Sequence, residues 1–135
     1  MKLLLFALAV LCVMSTGCAT VPTPIASAQP GKSLSPIFGT ATPGTGRIVV
    51  KRDTGFTGGG CTHRIHLDGA PAAALSAGQA IALYAQPGEH VLSAVATGIC
   101  DGTSEAIVMV EAGKTKSMRS GYDGNGNIRL QPTAF

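Results

Sequence analysis

The chain has no tryptophan, and four phenylalanines and two tyrosines are its only aromatic residues besides three histidines. With so few rings there is no platform on which bases could stack, and the basic residues are scattered rather than massed. A nucleic-acid partner is therefore excluded. Charged residues make up only 13% of the 135 positions, so neither an acidic tail nor a basic arm is present. No apolar run reaches the roughly 20 residues that span a bilayer. There is no Gly-x-Ser-x-Gly elbow, no Cys-x-x-Cys and no His-x-x-x-His, which removes the common signatures of serine hydrolases and zinc sites. The serines lie in the N-terminal stretch or beside small residues, with no histidine close by in sequence. No nucleophile and base pair is expected, and the chain reads as non-enzymatic.

What the chain does have begins at its N-terminus. Lys2 precedes an apolar run from Leu3 to Met14, the charged and hydrophobic regions of a secretory signal, too short for a permanent span. The run ends in Ser15, Thr16, Gly17 and Cys18. Small residues directly before a cysteine resemble the signal of bacterial lipoproteins, with Ser15 standing where that motif usually has Leu or Val. The resemblance implies cleavage before Cys18, diacylation of its thiol and acylation of the new amine, with palmitate-type chains. Two or three chains give stable anchoring, since each buried CH₂ contributes about 0.8 kcal/mol. Ala19 rather than Asp after the cysteine implies the outer membrane, with the domain facing the periplasm or the exterior. A surface-exposed lipoprotein would also be an antigen.

Cysteine usage agrees with such a compartment. Cys12 leaves with the signal (residues 1–17) and Cys18 is taken by lipid, so Cys61 and Cys100 remain as a pair in an oxidising space and are expected to form a disulfide. The closed loop of roughly 40 residues would stabilise the fold by about 4 kcal/mol in the chain-entropy account.

Residues 18–46 follow the signal as a stretch of Ala, Thr, Pro, Ser and Gly with almost no charge. Such a composition is expected to form a disordered, semi-extended tether. From residue 47 to 135 short apolar runs alternate with turn residues, which predicts an antiparallel β domain. Strands are expected at Arg47 to Arg52, Thr62 to Leu67, Gln79 to Gln86, His90 to Thr97, Glu105 to Glu111, Thr115 to Tyr122 and Ile128 to Pro132. Ile48, Val50, Ile65, Leu67, Ile81 and Leu83 fall on inward faces, and Arg64 and His66 point outward. Asp68-Gly69 is a hairpin signal. Pro87-Gly88 predicts a turn, and Ala112-Gly113 a second hairpin. Ala70 to Ala80 is expected to be a bent edge strand rather than a helix, because Pro71 and Gly78 interrupt it. The fold class is all-β: a small sandwich of about seven strands.

Within this pattern, His63 to Ser93 carries LDG, a connection of small residues, and a strand leading into QPGEHVL. That unit resembles PEGA-like surface domains and small lipoproteins of related type, and implies an immunoglobulin-like sandwich without implying an activity.

Four constellations carry possible chemistry. Asp53-Thr54-Gly55 spells the aspartic-protease triplet, but it follows Lys51 and Arg52 rather than an apolar strand, and Phe56 stands where a small residue is usual. It reads as a loop, since the protease would need a second copy to supply the paired carboxylate. Thr57 to Gly60 lacks the Lys-Ser/Thr pair of a phosphate cradle and reads as a loop. Asp123 to Asn127 looks like a calcium loop, yet Ile128 and Ala134 replace the required Gly and Glu, so it reads as a turn. His63, His66 and His90, with the two cysteines, are the residue types of a zinc or copper site, the alternative reading of the domain as a metal-handling periplasmic protein.

The favoured reading is a lipid-anchored structural or binding module of the outer membrane, without cofactor, expected to be a monomer. It would touch an envelope protein or polymer, by strand addition at an exposed sheet edge.

Overall fold

A computed structural model describes residues 20–55 and 57–134; the signal and Cys18 lie outside the described residues. The strands are β1 (Gln29–Pro30), β2 (Lys32–Ser33), β3 (Gly46–Arg52), β4 (Thr62–Leu67), β5 (Ala70–Leu75), β6 (Gln79–Ala85), β7 (Gly88–Thr97), β8 (Thr103–Val110), β9 (Thr115–Tyr122) and β10 (Ile128–Pro132). One helical turn, α1 (Pro36–Gly39), precedes β3. The strands form two sheets, ordered β1-β6-β3-β9-β10 and β2-β5-β4-β7-β8, packed as a β-sandwich.

Alternation of side chains explains the core. Ile65 and Leu67 of β4 are fully buried while Arg64 is exposed, as a period of two requires. Ile48, Val50, Leu75, Leu83, Leu92, Val108, Met118 and Leu130 meet them from both sheets. The Asp68-Gly69 hairpin has both residues at positive φ, 51° and 80°, the conformation of a tight turn whose twist matches its strands. Register slips at a bulge between Ile65 and His66 opposite β5.

Several expectations are corrected. Pro87 is a bend leading into β7 at Gly88 and Ala112-Gly113 is a turn, but in both places the strands joined lie in different sheets, so the hairpin expected at Ala112-Gly113 is not formed. The same turn residues serve a hairpin and a sheet-to-sheet arch, and the choice is made by which side chains reach the core. Because β9 arrives through such an arch, it runs parallel to β3, with Arg47 opposite Thr115 and Arg52 opposite Ser120; the first sheet is mixed rather than wholly antiparallel. Among the described residues the strands number ten: β5 forms within the stretch Ala70 to Ala80, lying between β2 and β4 instead of at an edge, and two short ones come from a region without the alternating pattern.

That region is the stretch read as a tether. From Thr20 onward it packs on the domain instead of extending away from it. Gln29 N donates to Gly78 O (3.0 Å), Gly31 N to Ala80 O (2.8 Å) and Leu34 N to Ala72 O (2.9 Å). The segment thereby adds β1 to β6 and β2 to β5, covering the same side of both sheets. Its prolines restrict the chain to extended conformations, which reduces the entropy lost on pairing. At Gly31 the chain crosses between sheets so closely that a Cβ would lie 2.2 Å from Leu75 Cδ2.

Truncating Ile65 to Ala is expected to cost about 2–5 kcal/mol in urea denaturation, since a buried Ile leaves a cavity, whereas Arg64→Ala on the opposite face of the same strand should stay within about 0.5 kcal/mol.

Candidate functional site

The polar residues of the domain gather at one end of the sandwich, where β3 and β9 finish and β4 begins. Alternation carries Arg52 to the inner face of β3, where only 2% of it is exposed. Its guanidinium donates to the carbonyls of Leu75 (3.0 Å), Cys61 and Gly58. One side chain thus gathers β5 and the loop that leads into β4. Beside it His63 is fully buried. Its Nδ1 lies 2.6 Å from Ser120 Oγ and its Nε2 3.0 Å from Tyr122 Oη, with the two rings edge to face at 5.1 Å. Burial, reinforced by the Arg52 charge, holds the His63 pKa down to about 3, so the ring is neutral in ordinary buffers. Burial also lowers the Arg52 pKa and raises that of Tyr122.

A serine therefore does lie against a histidine, contrary to the reading of the sequence, which could not see a pair separated by 57 positions. Ser120 and His63 are both at 0% exposure. The two ring nitrogens are held by hydroxyls rather than by an orienting carboxylate, and no substrate reaches the serine in this arrangement.

On the outer face of the same strand, Lys51 and Asp53 are buried as well. Asp53 Oδ2 lies 2.8 Å from Arg119 Nη2, and Oδ1 lies 3.6 Å from Lys51 Nζ. Oδ1 also accepts from Thr23 N (3.1 Å), while Lys51 Nζ donates to Thr23 O (2.6 Å). Val21 and Thr54 exchange backbone hydrogen bonds of 2.8 and 3.0 Å, and Thr20 Oγ1 donates to Tyr122 O (3.0 Å). Asp53 thus belongs to a clamp on the N-terminal segment rather than to a free loop.

Cys61 and Cys100 are joined in a disulfide with Cα atoms 5.9 Å apart. It ties the loop before β4 to the loop after β7 where Thr62 and Thr97 pair. Asp123 caps its own turn: its carboxylate accepts from the backbone N of Asn125 and Asn127 (2.9 Å each) and from Arg129 Nε (2.9 Å). The Asn127 backbone bond leads the causes that lower its pKa to about 2.

The three histidines stand apart in role. His63 is sealed at this end and His66 lies on the outer face of the second sheet. His90 Nδ1 sits 2.6 Å from Asp68 Oδ2, with Nε2 2.7 Å from Gln86 O. Partial burial pulls the His90 pKa down, but these two partners outweigh it and raise the pKa. Among the described residues, no group of three or more His, Cys, Asp or Glu is placed to hold a metal ion.

The outer surface has a different feature at β8. Among the described residues its one strand partner is β7, and its outward side chains include Ile107, 65% exposed, and Met109, 51% exposed, next to the exposed Val91 of β7. At the Thr103 end β10 closes against β8, with Leu130 N donating to Ser104 Oγ (2.9 Å). Toward Val110 the two edges part and leave a groove of about 410 Å³, lined by Ile107, Met109, Thr115, Lys116, Met118 and Pro132 among others.

The chain matches no protein-family model, no curated protein and no solved structure. Its site is read from its own geometry.

The buried imidazole sets a pH dependence. His63 takes up its proton near pH 6.5 in the unfolded chain but only near 3 in the folded one, so the unfolded state binds more protons between those values. The His63 contribution is complete above about pH 6.5 and is lost as pH falls toward 3, at up to about 1.4 kcal/mol per pH unit. NMR titration should find the His63 ring carbons at neutral-ring shifts down to pH 4; a midpoint near 6.5 contradicts the assignment.

Proposed function

We propose that this protein is a bacterial outer-membrane lipoprotein, acylated at Cys18, whose sandwich is a non-enzymatic binding module of the cell envelope. The N-terminal features support the anchor: Lys2, the Leu3 to Met14 run and small residues before Cys18. The disulfide between Cys61 and Cys100 suits an oxidising compartment outside the cytoplasm.

The observation that carries the binding role is the open half of β8. Backbone donors and acceptors on an unpaired edge are a template for an added strand. Here that edge runs beside an apolar groove, with Ile107 and Met109 displayed in alternation. An extended segment of an envelope protein is the occupant that uses both features: its backbone continues the ladder, and its alternate side chains enter the groove. A globular or polysaccharide partner would leave the ladder unused.

The expected outcome of photo-crosslinking in the native envelope is a defined adduct from position 107 and none from position 37, an exposed apolar residue on the helical turn before β3 and not on β8. The ladder to β7 uses the even positions of β8, in step with the bond from Ala96 N to Gly102 O, so replacing Met109 by Pro removes a backbone donor that faces away from β7 and should abolish the adduct, and Met109→Lys should weaken it while acylation of Cys18, read by intact mass, stays unchanged. Equal crosslinking from both positions contradicts the strand-addition reading.

A further inference from the structure

We infer that the end of the sandwich bearing the disulfide and Ile99 rests directly on the lipid surface. The inference rests on acylation at Cys18 and adds to it an orientation.

A free tether of the length of residues 19–46 would let the domain wander tens of ångströms from its anchor. The fold removes that freedom at its first described residue. Thr20 is bonded to Tyr122 O, Val21 is bridged to Thr54, and Thr23 is held by Lys51 and Asp53. Two residue steps separate Cys18 from Thr20, a reach of at most about 7 Å at 3.3–3.6 Å per residue. The acyl chains must therefore enter the bilayer beside the end of the domain where Thr20 is fixed.

Contacts identify what else lies at that end. Thr20 sits against Gly121, and Tyr122 against Gly58. Tyr122 pairs with Ile128, and Gly102 packs 3.3 Å from Ile128 Cγ2 measured at its would-be Cβ. The loop from Gly98 to Gly102 is thus part of the same surface, and it is stapled there through Cys100. At its tip Ile99 is 97% exposed, the most exposed large apolar side chain among the described residues. Gly98 and Gly102, at φ of 89° and 106°, let the loop turn sharply on either side. An isoleucine held out by a covalent staple, on the face that the anchor draws to the bilayer, finds an apolar phase within its reach. The charged groups nearby are Asp101, Asp123 paired with Arg129 at 2.8 Å, and Arg119 paired with the buried Asp53 at 2.8 Å. Contact at this end is therefore apolar and requires no anionic lipid. In this orientation the open half of β8, toward Val110, lies at the far end from the bilayer, where an incoming strand has access.

The absence of tryptophan makes the test direct. The full acylated protein is reconstituted into phosphatidylcholine vesicles as two variants: Ile99→Trp, and Ile37→Trp at the opposite end, where the native side chain is 79% exposed. Brominated phosphatidylcholine should quench the indole of the first variant, with a blue shift of its emission, and leave the second unchanged. Loss of emission in neither variant, or in the second alone, overturns the orientation. Intact mass of the same preparations reports acylation separately: a chain without acyl groups at Cys18 overturns the anchor itself, whereas an acylated chain with an unquenched I99W indole overturns only the orientation.

Discussion

Three consecutive charged side chains at the end of β3 decide how this domain is assembled. Lys51, Arg52 and Asp53 are all buried, although strand alternation sends Arg52 to one face and its neighbours to the other. Burial of charge is tolerated only with compensation, and breaking such a pair by removing one partner costs about 3–5 kcal/mol. Compensation here comes from segments distant in sequence. Arg52 collects carbonyls from the loop before β4 and from β5. Lys51 and Asp53 grip Thr23, with Arg119 completing the charge balance. The end of β3 therefore specifies where the N-terminal segment lies as well as how the sandwich is closed.

The other features of that end depend on this arrangement. The Arg52 charge adds to burial in keeping His63 neutral, and a neutral ring can bridge the hydroxyls of Ser120 and Tyr122. The disulfide ties the loop that Arg52 holds to the loop carrying Ile99. Polar satisfaction, covalent stapling and attachment of the N-terminal segment thus coincide, while the opposite half of β8 is left open. A domain whose N-terminal segment is fixed at one end and whose strand edge is open at the other is suited, under the proposed anchoring, to presenting that edge to an extended partner.

Much of the fold was legible in the sequence because period-two alternation is a local signal. Thr62 to Leu67, Thr115 to Tyr122 and Ile128 to Pro132 are strands with the bounds read from residues alone. The Cys61–Cys100 bridge was legible as the pair of cysteines left once Cys12 and Cys18 are assigned to the expected signal and lipidation site. Long-range features were not legible. Pro87-Gly88 and Ala112-Gly113 look alike whether they join neighbours in a sheet or cross between sheets. Thr20 to Ser33 lacks alternation because it donates backbone rather than side chains to the sheets, so its composition resembled a linker. Burial of Lys51 and Asp53 depends on that same segment, so Asp53 read only as part of a loop. The contact of His63 with Ser120 joins positions whose proximity only the strand register creates. At β8, strand character was readable, but its position at a sheet edge was not.

The most direct test of this account is native-state amide hydrogen exchange on the mature, unreduced protein. The N–H groups of Val21, Gln29 and Gly31, each bonded to a backbone carbonyl, should be protected to nearly the same degree as those of β3, because the clamp makes the N-terminal segment part of the cooperative unit. Exchange of these three amides at the rate of an unstructured chain, with β3 still protected, would show a free tether and contradict the account.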